Sequence, residues 1–169
     1  MNVSDLVTLY DYNCWANEQL FKAVEQLSPE EFTRSIGGAY DSVRTTLVHM
    51  LEVEKGWLAR CDGDAGWLEF NPAEFSSLNS IKAEWKSVEQ FGRGFLSRLT
   101  EDDLRRSISY RFENDDPRAL PLAETVQHTA NHTAHHRGQL ALMLRMLGHA
   151  PGNMDMLFYY AGRLSDFPE

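Results

Sequence analysis

Cysteine is scarce in this chain of 169 residues, and its two copies, Cys14 and Cys61, lie far apart and outside any CxxC pair. That excludes a disulfide framework and leaves two reduced thiols as the expectation. Positive charge is also short: 16 Lys and Arg stand against 25 Asp and Glu, for a formal net charge of −9 and a pI near 5.1. Affinity for nucleic acid rests mainly on Lys and Arg neutralising phosphates, and no basic stripe escapes this average, so nucleic acid is not an expected partner. Long apolar runs are missing too. The stretch LALMLRML, residues 140–147, is interrupted by Arg145 and falls short of the roughly 20 residues that span a bilayer, so no membrane partner is expected. The opening MNVSDLVTLYDYN carries Asp5 and Asp11 where a signal peptide would need a basic start and an unbroken apolar core, which points to a cytoplasmic protein. There is no low-complexity tract, repeat or linker, and the composition is 43% hydrophobic and 24% charged. A chain of this size can bury about two-thirds of its unfolded surface, so residues 1–169 read as a single domain that needs no staple.

What the chain does have is helical periodicity. Leu6, Leu9, Tyr10, Leu20, Phe21, Val24 and Leu27 recur at helical spacing after Ser4, a candidate N-cap, and predict a first helix over residues 5–26. SPEE, residues 28–31, places Pro and two acidic residues behind a capping Ser and should start a short connecting helix. After the Gly37-Gly38 break, Val43, Leu47, Met50, Leu51, Trp57 and Leu58 predict a second long helix over residues 42–60. A structured loop holding the aromatics Trp67, Phe70 and Phe75 follows over residues 61–77. Ile81, Trp85, Val88, Phe91, Phe95 and Leu99 predict a third helix over residues 78–99. SISYRFEN, residues 107–114, alternates apolar and polar side chains and reads as a strand or hairpin arm before a DDPR turn. A fourth long helix should run from Pro121 to Leu147, closed by Gly148 and Pro151, with one or two helical turns in the tail. The expected fold class is therefore all-α: a four-helix bundle with a short extra helix and a small hairpin before the last long helix.

The fourth helix contains NHTAHHRGQ, residues 131–139, with three of the six histidines. At 3.6 residues per turn, His132 and His136 differ by about 40° around the axis and can reach one metal ion together. His128, one turn earlier, can pair with His132 instead, whereas His135 points about 100° away from His136 and should be solvated. A third ligand would come from His49 or His149; sites in bundles are built from facing helices, which favours His49, although the helical wheel alone does not select it. Thr133 and His135 stand where HExxH and HxxEH need their Glu, and no Glu-x-x-His occurs for a di-iron centre. A mononuclear three-histidine site is what remains. It would leave the ion its full positive charge and an open position, suited to activating water or a thiol.

Three segments resemble the DinB/YfiT-like superfamily of metal-binding four-helix bundles: YNCWANEQL (12–20), TLVHMLEVEKGWL (46–58) and HTANHTAHHRGQLALMLRMLG (128–148). The resemblance implies His49, His132 and His136 as ligands of a divalent ion, nickel or zinc, and a homodimer. It further implies thiol S-transferase or metal-dependent hydrolase activity, with a small-molecule substrate and a low-molecular-weight thiol as a candidate cosubstrate. Trp15, Asn13 and Asn17 are expected to serve packing and helix–helix hydrogen bonding; Asp155 stands where the family often has an acidic residue, and an N-cap for the terminal helix explains it equally well. Arg137 is expected to form a salt bridge to a neighbouring helix, and Gln139 to hydrogen-bond near the site. Glu52 and Glu54 are candidate general bases expected in solvent, and no protein residue is assigned as catalytic. A metal-dependent enzyme is the leading reading. The alternatives are a non-catalytic metal-dependent binding or sensing protein and an apo structural bundle.

Overall fold

A computed structural model describes residues 1–64, 69–111 and 116–164, of which residues 163 and 164 by their backbone only. The expected architecture is present. Helix α1 spans Val3–Val24, α2 Pro29–Thr33, α3 Val43–Cys61, α4 Leu78–Leu96, α5 Leu122–Met146 and α6 Met156–Leu164. Strands β1 (Ser107–Tyr110) and β2 (Arg118–Pro121) form an antiparallel hairpin, with Ser107 opposite Pro121 and Tyr110 opposite Arg118. Arg118 thus belongs to a strand and not to the turn, and residues 112–115 of the SISYRFEN arm and its turn lie outside the described residues, as does Trp67.

The caps explain where the helices begin. Asn2, not Ser4, caps α1: its side chain accepts from the Asp5 N–H while the Asp5 carboxylate accepts from the Asn2 N–H. Ser28 and Glu31 form the same reciprocal box at α2, as do Ser42 and Thr45 at α3. Asp155 accepts from the Leu157 N–H at the start of α6, which is the capping one of the two readings open to it.

Each long helix packs against two others, in the cyclic order α1, α5, α3, α4. The helices meet over Leu6, Leu20, Leu47, Leu51, Leu140 and Leu144, all excluded from solvent. The helix α2 lies on α3, α6 on α1, and the hairpin on the N-terminal turns of α5. Phe91, placed on the buried stripe by its spacing, is instead 39% exposed. Neighbouring positions Val88, Gly92 and Phe95 carry the buried face of α4. The Thr125, Thr129 and Thr133 hydroxyls each donate to the carbonyl four residues earlier, so the buried face of α5 carries polar groups that are already satisfied. That stripe lies beside the histidines.

Candidate metal centre

The two helices that carry the site share the closest pairing in the bundle. The Ser42–Thr45 box fixes the start of α3 and puts His49 two turns in, facing α5. His132 and His136 follow one another by one turn on α5. Their Nε2 atoms converge: His49 to His132 is 3.2 Å and His132 to His136 is 3.1 Å. Nitrogens bound at about 2.05 Å to one tetrahedral ion stand roughly 3.3 Å apart, so the spacing is that of a ligand set. The donor atoms of all three lie within 4.8 Å of one another, and this group can hold a metal ion.

Proton counting favours a cation over a hydrogen-bonded trio. The His136 Nδ1–H donates to Gln139 Oε1 at 2.7 Å, since an amide oxygen only accepts, so the His136 Nε2 lone pair faces the centre. His132 Nδ1 is buried with no partner among the described residues. If the His132 proton sits on Nδ1, it is unmatched and the His132 and His136 lone pairs face each other at 3.1 Å whichever nitrogen of His49 is protonated; if it sits on Nε2, one proton stands between two neighbouring rings. A cation at the centre would use all three Nε2 lone pairs at once, with the buried Nδ1–H of His132 left without an acceptor among the described residues.

The electrostatics keep the rings in the ligating state. Burial, then the neighbouring His136, holds His49 down to about 4. Burial and the surrounding imidazoles hold His132 down to about 3. His136 is also lowered by burial, against the opposing hydrogen bond from Gln139. All three are neutral at pH 7 and need lose no proton to bind.

The other histidines stand aside. His128 is exposed and packs on Trp57 at 5.4 Å and on His132 at 6.0 Å, but does not join the triangle. His135 is exposed as expected, although its Nε2 accepts from Gln139 at 3.0 Å. His149 lies 3.4 Å from Glu31 at the other end of α5.

Two expectations are corrected. Glu54 is not solvated: it is 1% exposed, and burial lifts its carboxyl to about 7 although Tyr10, Asn13, Arg137 and Trp85 pull it down. Arg137 reaches the neighbouring helix but meets amides there and not a carboxylate: it is 3% exposed and donates to Asn13 Oδ1 at 2.7 Å and Asn17 Oδ1 at 2.9 Å. Asn13 in turn donates to Glu54 at 3.4 Å, so an amide stands between the buried guanidinium and the carboxyl. Glu52 is half-buried and accepts from the Phe70 N–H at 2.9 Å. Neither carboxylate belongs to the three-histidine group.

Tyr40 was not expected at all. Its ring stacks on His49 at 3.9 Å and meets His136 edge-on at 5.4 Å. The loop before α3 delivers it: Asp41 has φ +62 and its carboxylate accepts from Ser35 and from the Gly37 N–H, which folds residues 35–41 back toward the site. Only the Gly37-Gly38 pair, both at positive φ, advertises that turn in the sequence.

Fold and site together define a class: a four-helix-bundle protein with a three-histidine group between two facing helices, placed and protonated so that it can hold a metal ion. The DinB family model matches residues 1–164, and the chain belongs to the DinB family. It is 28% identical to Protein DinB of Bacillus subtilis (strain 168) over 160 residues, 89% of this chain and 91% of the relative. A DinB-like protein from Bacillus cereus ATCC 10987 shares the fold with a TM-score of 0.67 at 18% identity, covering 90% of this chain and 97% of its own. A second, YjoA from Bacillus subtilis, superposes with a TM-score of 0.57 at 18% identity over 89% and 94% of the two chains.

Proposed function

We propose that the chain binds one divalent metal ion, nickel or zinc, through His49, His132 and His136 and is a metal-dependent enzyme of the thiol S-transferase or hydrolase type. The observation that carries this is the convergence of three Nε2 atoms at 3.1 and 3.2 Å on neutral imidazoles. A bound ion would supply Lewis acidity, lowering the pKa of a water or a low-molecular-weight thiol and polarising a small electrophile. With three neutral ligands the protein cancels none of its charge.

The chain's own contribution is orientation. Gln139 holds the His136 ring in the tautomer whose Nε2 is free. Tyr40 covers the flank of His49 and limits approach from the α2–α3 loop side. No protein nucleophile is needed, and Glu54, committed to the Asn13–Arg137 network, is not the base.

A homodimer and a cytoplasmic location complete the proposal. Leu142 and Met146, one turn apart on α5, are 59% and 62% exposed, and Leu157 and Phe158 on α6 are 69% and 50% exposed. These are the apolar side chains that a second copy would cover. No helix among the described residues is long and apolar enough to cross a membrane.

The test is a panel of low-molecular-weight thiols with small electrophiles, run on metal-loaded protein, on chelated protein and on His132→Ala. Turnover that needs both the ion and His132 is the expected result. Metal retained without turnover across the panel would overturn the enzyme reading in favour of a binding or sensing protein.

A further inference from the structure

Helices α1 and α4 run antiparallel, and three side-chain rungs cross between them on one side. Glu25 pairs with Lys82 at 2.6 Å, Phe21 meets Trp85 edge-on at 5.1 Å, and Asp11 pairs with Arg93. Beside these rungs the two helices leave a groove of about 820 Å³, within the range that accepts a drug-sized molecule. It shares no lining residue with the three-histidine group, which lies between α3 and α5. Trp15, Phe21 and Trp85 supply aromatic walls, joined by Tyr159 of α6, whose ring lies 5.7 Å from Trp15. The Cys14 thiol in the wall is kept protonated by burial and by nearby carboxylates.

The charges of the lining are matched except one. Arg93 holds Asp11 and Glu89, Lys82 holds Glu25, and Glu18 faces Lys22 at 4.0 Å. Lys86 lines the groove from an exposed position of α4 and forms no hydrogen bond or ion pair among the described residues. Asn17, 2% exposed, also lines it; its Oδ1 is taken by Arg137, and its Nδ2 has no acceptor.

We propose that this groove is a second small-molecule site, separate from the histidines, and that it takes a compact aromatic anion. The flat apolar body packs against Trp15, Phe21 and Trp85, where offset and edge contacts with rings are favourable. The oxyanion faces the Lys86 ammonium, the one lining charge without a partner among the described residues. The site needs no metal, so it stands or falls independently of the proposed enzyme.

The test uses the full ¹⁵N-labelled chain in chelator, titrated with 1-naphthoate and, in parallel, with neutral 1-naphthalenemethanol. The indole N–H signals of Trp15 and Trp85 should move saturably with naphthoate while that of Trp57, outside the groove, stays in place. Ala83→Trp, which fills the groove from an exposed position, should abolish the movement. Lys86→Glu should weaken naphthoate about tenfold or more and leave the neutral alcohol nearly unchanged; being an exposed substitution, it keeps the test open even if the larger Trp is not accommodated. No saturable movement of Trp15 and Trp85 would overturn the proposal. So would binding that survives both substitutions, or a groove found covered by a second copy of the chain.

Discussion

Gln139 shows how much one side chain settles. Its oxygen accepts from His136 Nδ1 and its amide donates to His135 Nε2, so in this orientation the amide ties the two ring tautomers together. The consequence is a fixed His136 tautomer. Gln139→Leu should weaken zinc binding roughly 10–100-fold, measured by chelator competition, with helical content unchanged; unaltered affinity would remove Gln139 from the site. Glu54 makes a different prediction. Its folded pKa of about 7 stands above the ordinary value of 4.5, so between those two pH values the native state holds more protons than the unfolded one. Stability contributed by this group is therefore lost as pH rises through that window. The melting temperature of Glu54→Gln relative to the parent should climb between pH 4.5 and pH 8, and a pH-independent difference would contradict the burial argument. Sequence made the pairing of His132 and His136 legible, because helical spacing alone aligns them. His49 was favoured over His149 by the habit of bundle sites to span facing helices and supported by the family resemblance, since its place on the wheel is marginal. Tyr40 and the Glu54–Asn13–Arg137 network were not legible: the first depends on a loop turned by Asp41 at positive φ, and the second on which helices become neighbours.

The helices themselves were readable because caps and breakers are local. Gly148 at φ +87 ends α5 as its composition suggests, and the Ser28 and Ser42 caps stand where short polar side chains precede apolar periodicity. Phe91 was misplaced for a reason of packing: Tyr10 of α1 presses on Gly92, and that contact sets how α4 is rotated against the bundle. A Cβ at Gly92 would collide with the Tyr10 hydroxyl and ring, whereas a Cβ at Gly138 of α5 meets nothing within 4 Å. Overpacking at the first site costs about 1–3 kcal/mol against a gain in helix propensity of about 1. Gly92→Ala should thus lose up to about 2 kcal/mol in urea unfolding, and Gly138→Ala should gain about 0.5–1 kcal/mol. Equal stabilities for the two variants would contradict this account of the α1–α4 contact.

The whole molecule divides its surfaces among different tasks. The α3–α5 seam holds the histidines, the α1–α4 seam holds the aromatic groove, and the outer faces of α5 and α6 expose Leu142, Met146, Leu157 and Phe158. Light scattering should give the proposed homodimer twice the chain mass of 19.4 kDa, falling to one chain when Leu142 and Met146 are both replaced by Glu; a monomeric parent would contradict it. The metal proposal is the centre of the account, and elemental analysis of untagged protein beside His132→Ala, both checked for helix by circular dichroism, tests it most directly. The account predicts about one ion per chain in the parent and none in the folded variant. No ion in either protein, even after incubation with nickel or zinc at neutral pH, or equal metal in both, would contradict it.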